Sequence, residues 1–349
     1  MAYPNLSLNF EDRLTLHLQE INRTLNSQAW PRAPLLDYLS KNSKPYNGGE
    51  YMTEVIEDNY TPTGDAFGEG STLPVVQKNI VVPAMYTPTW AQESCFLDDI
   101  RKKKIMTQGD MGPVLDWVSE QTSSSARMLR ENMATWTCAA STGTAADGSP
   151  RPTTVFDIVA ASGTIGNLSP TGHSYWASQV DTVSGAWTST GLTRFRKQLR
   201  LARRYTGFSG PDALFCSGVV HDAVLAGATA KTTYMREPSK GDAKGPDVGD
   251  GAWNWSAKAP YDPNFFIDDI PCWYDPHLDA LEASALSTGG VLLGINSKAV
   301  YLREAPGMKY TTEPFRYSQD RLATYTRILW GGQTVACNRS SNVLLTNIL

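Results

Sequence analysis

The chain has 349 residues, 41% hydrophobic and 19% charged, with a formal net charge of -4 at pH 7. That length exceeds what one hydrophobic core serves, so two lobes, or one domain with long excursions, are expected of a folded soluble protein. The near balance of charge argues against a dedicated nucleic-acid binder, which would carry a basic surplus. The opening MAYPNLSLNF lacks a basic region followed by an apolar core. No window approaches about eighteen consecutive apolar residues, so neither export nor membrane insertion is expected. The five cysteines, Cys95, Cys138, Cys216, Cys272 and Cys337, are scattered and never form a CxxC pair, and His17, His173, His221 and His277 are equally dispersed. Disulfide frameworks and metal clusters are therefore not expected.

In chain order, residues 8–26 carry Leu14, Leu18, Ile21 and Leu25 at helical spacing, with Glu11 and Asp12 in the first turn, and predict an amphipathic helix. Pro31 and Pro34 end it, and PRAPLLDYLSKNSKPYNGG has too little apolar periodicity for a core of its own. It reads as an arm lying on something else. Residues 50–60 and 73–97 are rich in Val, Ile, Tyr and Thr around the breaker PTGDAFGEGST, which predicts a long hairpin. Its arms, at roughly 3.3 Å per residue, would reach some 35–50 Å. No neighbouring stretch supplies strands to cover both faces, and an isolated two-stranded ribbon is marginal in water. The monomer therefore reads as incomplete.

The basic run Arg101–Lys104 reads as a solvated turn or half of an intersubunit ion pair. From Thr107 to Ala139 runs the longest helical pattern, with Leu115, Val118, Thr122, Ala126, Leu129, Met133 and Trp136 on one face and Glu120, Arg127, Arg130 and Glu131 elsewhere. Asp110 suits its cap and Pro113 its first turn. VFDIVAASGTIGNLSPTGHSYWASQV reads as a short apolar strand, a glycine turn and the aromatic pair Tyr175 and Trp176. A second lobe is expected near Ser189. There TGLTRFRKQLRLARRY places Leu192, Phe195, Leu199 and Ala202 on one helical face and Arg194, Arg196, Lys197, Arg200, Arg203 and Arg204 around the others, which reads as a solvated surface. DALFCSG reads as a buried strand and VVHDAVLAGATAKTTY as a helix, with a long loop over 236–263. FFIDDIPCWYD, GGVLLGIN, KAVYLRE, KYTTEPF, LATYTRILWGGQTVACN and VLLTNIL read as strands.

No chemistry emerges from these elements. GxxxxGK[ST] and GxGxxG are absent, and the GTIG turn at 163–166 lacks their spacing. Cys216 with His221 and Asp222 is the nearest approach to a nucleophile and base, but Cys216 falls inside an apolar strand. Asp268 and Asp269, read as strand neighbours, point to opposite faces and cannot share a task. Asp247 and Asp250 lack the EF-hand spacing. No catalytic, cofactor-binding or metal-binding residue is assigned, and no cofactor is expected.

The order of parts, an N-terminal arm, a long hairpin, a long helix, a strand-rich region, an α/β lobe and returning strands, resembles the major capsid protein of tailed bacteriophages. This is the α+β Hong Kong 97-type fold, shared with encapsulin shells. Locally the resemblance is carried by PTWAQESCFL, DGSPRPTTVFDIVAASGTIGNLSPTGHSYWASQV and LATYTRILWGGQTVACN. It implies an N-arm at 1–47, an extended loop at 48–97, a peripheral domain with a spine helix at 98–188 and an axial domain at 189–307. A return to the periphery at 308–336 and a final strand at 337–349 complete the fold.

The resemblance further implies a non-enzymatic, self-assembling virion protein, forming hexamers and pentamers into an icosahedral shell around double-stranded DNA. Its expected partners are a scaffolding protein, a portal, a decoration protein and weakly held DNA, without membrane, and its assembly is expected in the bacterial host cytoplasm. Some relatives carry a large cleaved N-terminal scaffolding segment; here the short arm and initial Met1 favour a separate scaffold. Some join Lys and Asn of neighbouring subunits, for which Lys78 and Asn338 occupy plausible regions, although most relatives lack the bond. The competing readings are an encapsulin-like nanocompartment shell, a cytosolic hydrolase using Cys216 and His221, and a tail or baseplate component.

Overall fold

The computed structural model describes residues 32–57, 81–100, 112–204, 209–230, 265–282, 284, 286–317 and 323–349. The expected helix at 8–26, the hairpin tip, Lys78, the basic run 101–104, Asp110 and the loop 236–263 with Asp247 and Asp250 lie outside them. The described part is α+β and forms two compact units. One comprises Trp90–Met133 and Ala305–Gly331, the other Arg32–Thr89, Ala134–Glu304 and Gly332–Leu349.

In the first unit, strand β4 (Thr89–Asp98) and the 26-residue helix α2 (Gly112–Thr137) pack through Cys95 and Leu97 against Trp117 and Val118. The helix is about 39 Å long. Among its described residues Trp117, Ser125, Leu129, Met133, Ala134 and Thr137 are buried, and from Ser125 on they include a row of four-residue steps that winds gently around the axis. Leu129 and Met133 lie on the face read from the sequence, whereas Thr122, Ala126 and Trp136 are only half-buried. The polar Ser125 and Thr122 are accommodated because their hydroxyls meet the Cys95 thiol, which burial pushes up. Strand β13 (Ala323–Ala336) pairs here with β4 and with the short strands β11 (Thr311–Thr312) and β12 (Arg316–Tyr317).

The second unit begins with helix α1 (Pro34–Lys41) and strands β1 (Lys44–Pro45), β2 (Met52–Glu57) and β3 (Val81–Tyr86). Here β1 and β10 (Val300–Glu304) align on the end of β13, with Val300 opposite Ala336 and Glu304 opposite Gly332. Its main sheet has the order β5-β14-β9-β6-β8-β7, built from β5 (Gln179–Gly185), β14 (Val343–Ile348), β9 (Gly290–Ile295), β6 (Ala213–Cys216), β8 (Ile270–Tyr274) and β7 (Phe265–Ile267). Helices α4 (Leu192–Ala202) and α5 (Gly218–Ala230) cover one face, where Phe195, Leu199, Val220 and Val224 meet Leu214, Cys216, Leu292 and Leu345. The other face carries Phe215, stacked on Trp273 at 5.5 Å and met edge-on by Tyr38 of α1 at 5.4 Å. A strand buried on both faces needs the unbroken apolar run that ALFC supplies.

The local structure adds to the sequence reading and departs from it at VFDI, at Asp268 and Asp269, and at β4. The arm segment 34–41 is a helix buried on its own chain: Leu35, Leu36, Tyr38 and Leu39 are all buried. Ala33 at its N-terminus gives no side-chain cap, and the deeply buried Asp275 instead accepts from Leu35 N at 3.1 Å. Tyr38 donates its hydroxyl to Asp212, which also accepts from Ser297 N. VFDI is not a strand but the one-turn helix α3 (Val155–Ile158), because Thr154 caps it through Asp157 N at 3.1 Å. Asp268 and Asp269 are not strand residues: both have positive φ, 48° and 66°, and form the two-residue turn between β7 and β8. β4 belongs to the β13 pairing rather than to the hairpin's return, and β5, which precedes the expected lobe boundary, pairs in parallel with β14.

Arg339, between β13 and β14, is completely buried. Its guanidinium donates to the carbonyls of Ile158 (2.7 Å), Asp157 (3.2 Å), Ala160 (2.8 Å), Ser162 (3.1 Å) and Gly163 (3.1 Å). Burial lowers it to about 10, so it remains charged at neutral pH. Arg339→Lys, whose ammonium offers three donors for these five acceptors, should cost about 3 kcal/mol and Arg339→Ala at least as much, read as a fall in thermal midpoint. Leu129→Asp, which places a carboxylate at a fully buried position of α2, should cost about 3 kcal/mol or more and leave the chain insoluble. Normal yields and melting of either charge-disrupting variant would contradict the burial described.

Candidate interaction surface

The β2–β3 ribbon is antiparallel, with Met52 opposite Tyr86, Glu54 opposite Ala84 and Ile56 opposite Val82. The alternation in MTEVIE sends Met52, Glu54 and Ile56 inward. The inward face is tied down at several points of its own unit. Glu54 forms a 2.8 Å ion pair with Arg303 of β10. Tyr86 donates its hydroxyl to Ala336 O at 2.8 Å and accepts from Ala336 N at 3.2 Å, and burial holds its phenol well above the usual range. Met85 N donates to Gly166 O at 3.0 Å. Gly166 has φ +60°, and a Cβ there would stand 2.9 Å from the Cβ of Ala84 and 3.1 Å from the Tyr86 ring. Glycine serves both the turn and this close approach.

The outward face is different in character. Thr53, Val55, Glu57, Val81, Pro83 and Met85 face solvent, with Val55 71% exposed and Val81 50% exposed. Val55 stands opposite Pro83, so two apolar side chains are paired across the ribbon, and among the described residues both remain exposed. Pro83 can donate no ladder hydrogen bond, which suits an uncovered strand. A contiguous apolar face of this kind marks a contact surface. In the other unit, β4 turns Trp90 and Phe96 outward, and Phe315 and Tyr317 are also exposed. A Cβ at Gly331 would lie 2.3 Å from the Trp90 indole, so the missing side chain is what lets that ring lie on β13.

The residues with chemical potential do not assemble into a reaction centre. Cys216 is fully buried in β6 beside Cys272, whose thiol burial pushes well up, so neither sulfur is open to solvent. His221 instead packs on Phe265 and Tyr274 and places Nδ1 3.1 Å from Asp222. Asp268 accepts both ends of the Arg196 guanidinium, at 2.6 and 2.8 Å. Asn338, the proposed cross-linking residue, holds a local turn by accepting from Ser340 Oγ at 2.8 Å and Ser341 N at 3.3 Å. Among the described residues no three His, Cys, Asp or Glu side chains converge as a metal site, and no helix is long and apolar enough to cross a membrane. The sequence reading missed Glu54, Arg303, Gly166 and Arg339. Only Glu54 left a signal, as a charge at an inward position of an alternating strand.

Gly166→Val should dislodge the ribbon base: faster hydrogen exchange at Met85 N and easier proteolysis within 81–86 are expected, with unchanged exchange in the β6–β9 pairing. Gly331→Ala should displace the Trp90 ring from β13, read as a red shift of indole fluorescence; an unshifted spectrum would contradict the contact.

No family model matches the chain, and no curated protein matches it in sequence. Solved structures do match. The capsid asymmetric unit of cyanophage A-1(L) superposes with a TM-score of 0.61 at 16% identity, over 94% of this chain and 97% of that one. The capsid of an empty GTA particle gives 0.51 at 10% identity, over 94% and 100%. The holo-SrpI encapsulin complex from Synechococcus elongatus gives 0.50 at 10% identity, over 100% and 96%. With the ribbon, the long helix and the main sheet in this order along almost the whole length, the chain has the Hong Kong 97-type capsid fold.

Proposed function

We propose that the chain is the major capsid protein of a tailed bacteriophage, assembling as hexamers and pentamers into the icosahedral shell around double-stranded DNA. The observation that carries this reading is the ribbon: anchored on one face through Glu54, Tyr86 and Gly166 and uncovered on the other, in a fold shared end to end with a cyanophage capsid subunit. On this reading the ribbon is the base of the extended loop and α2 the spine helix of the peripheral domain. The β5–β14 sheet with α4 and α5 is the axial domain. The partners are other copies of the chain, a scaffolding protein, a portal, a decoration protein and weakly held DNA. The location is the virion, after assembly in the host cytoplasm, and the role is structural rather than catalytic.

An encapsulin-like shell is the second reading, favoured by the full-length likeness to the SrpI encapsulin. The contents of particles separate the two: packaged DNA in infected cells supports the phage reading, an enclosed enzyme the other.

Negative-stain microscopy with light scattering on the full chain, expressed alone and with phage assembly proteins, should show closed shells or rings of five and six. A monomer under both conditions would overturn the proposal. Val55→Asp with Met85→Asp should leave a folded subunit of unchanged melting temperature that forms few or no particles, since contact across the outward face would bury charge. In denaturing gels a ladder above the 38.2 kDa chain would indicate covalent cross-links; a single band would exclude them.

A further inference from the structure

The most uneven charge in the chain lies on α4 and its C-terminal turn. Residues 189–211 contain six cations and no carboxylate, in a protein whose net charge is negative. Two of the six are neutralised within the unit: Arg194 pairs with Asp181 at 2.8 Å and Arg196 with Asp268 at 2.6 Å. These pairs, with Phe195, Leu199 and Ala202 buried beneath, fix which way the helix faces. Lys197, Arg200, Arg203 and Arg204 are all exposed, and among the described residues no carboxylate meets them. Lys197 and Arg200 fall three residues apart on one side of the helix, and Arg203 and Arg204 follow in the turn after Ala202. The four cations lie within eight residues, a density that suits successive phosphates of one DNA strand, spaced roughly 3.4 Å along the axis.

We propose that this outward side of α4 is a contact for the phosphate backbone of duplex DNA. The inference rests on the capsid reading, because that reading supplies the polyanion. Contact with a second copy, in which a positive patch would have to meet a negative one, is the alternative occupant and is an outcome of the test. Four phosphate contacts are also few enough to suit a container, since such binding is strongly salt-dependent. A slope of log K against log salt of about -3.6 corresponds to a roughly 150-fold loss between 50 and 200 mM. The face would meet DNA without gluing the genome to the wall.

The test is fluorescence anisotropy of a labelled 20-base-pair duplex titrated with the full-length unassembled chain between 50 and 200 mM salt. The wild type should bind at 50 mM with a slope near -3 to -4. Each of Lys197→Gln, Arg200→Gln and Arg204→Gln should reduce the slope by about one, and the triple variant should lose most binding. Arg127→Gln, which removes an exposed cation of α2, should leave the slope unchanged. Absent binding at 50 mM, or an unchanged slope in the triple variant, would overturn the proposal. If the triple variant misfolds, the single Arg200→Gln slope decides. Particle formation is scored in parallel. Shells from the wild type with assembly lost and DNA binding kept in the triple variant would make this face a subunit contact, defeating this inference but not the capsid reading. Wild type without particles would defeat the capsid reading itself.

Discussion

A single buried cation organises the part of the molecule that carries the ribbon. The Arg339 guanidinium gathers five backbone carbonyls of 157–163. Those oxygens belong to the end of a one-turn helix and an irregular loop, where no regular ladder could satisfy them. A buried charge is tolerated because its donors face acceptors rather than apolar surface. Three residues after Gly163 comes Gly166, whose carbonyl and bare Cα receive the base of the ribbon. The arginine thus fixes the loop, the loop fixes the glycine, and the glycine sets where β3 lies.

From that base the ribbon follows a logic of unequal faces. Inward, Glu54, Met52, Ile56 and Tyr86 are buried in their own unit; outward, Val55, Val81, Pro83 and Met85 are exposed among the described residues. Two strands cannot bury an apolar face by themselves, and on the proposed reading a neighbouring copy would cover it. Among the described residues the polar groups serve the same economy, with thiols, carboxylates and imidazoles spent on packing, caps and turns. Asp275 caps α1, Asp279 and Glu282 cap α5 through Gly218 N at 2.8 Å and Val219 N at 2.9 Å, and Asp268 orients Arg196. A helix end without its own cap borrows a carboxylate from a distant segment.

Much of this was legible before any coordinates. Helical spacing located α2 and α4, with Leu129, Met133, Phe195 and Leu199 facing inward as read, and continuous apolar runs located β6, β9, β13 and β14. Less legible were short segments in which two structures share one pattern. VFDI is four apolar-rich residues that suit a strand or a helical turn, and Thr154 decided it through one hydrogen bond. IDDI reads as strand until Ile267 pairs with Ile270 and forces both aspartates to positive φ.

What the sequence by itself determined was the periodicity of each element, its apolar face and the surplus of apolar surface over available cover, because these depend on spacing along the chain. Only the tertiary structure decided which strands are neighbours, that α1 docks on its own unit through Asp275 and Asp212, and that Arg339 meets the carbonyls of 157–163. Those contacts join residues up to 259 positions apart, where the free energy comes from burial and hydrogen-bond satisfaction between segments and leaves no periodic trace in either one.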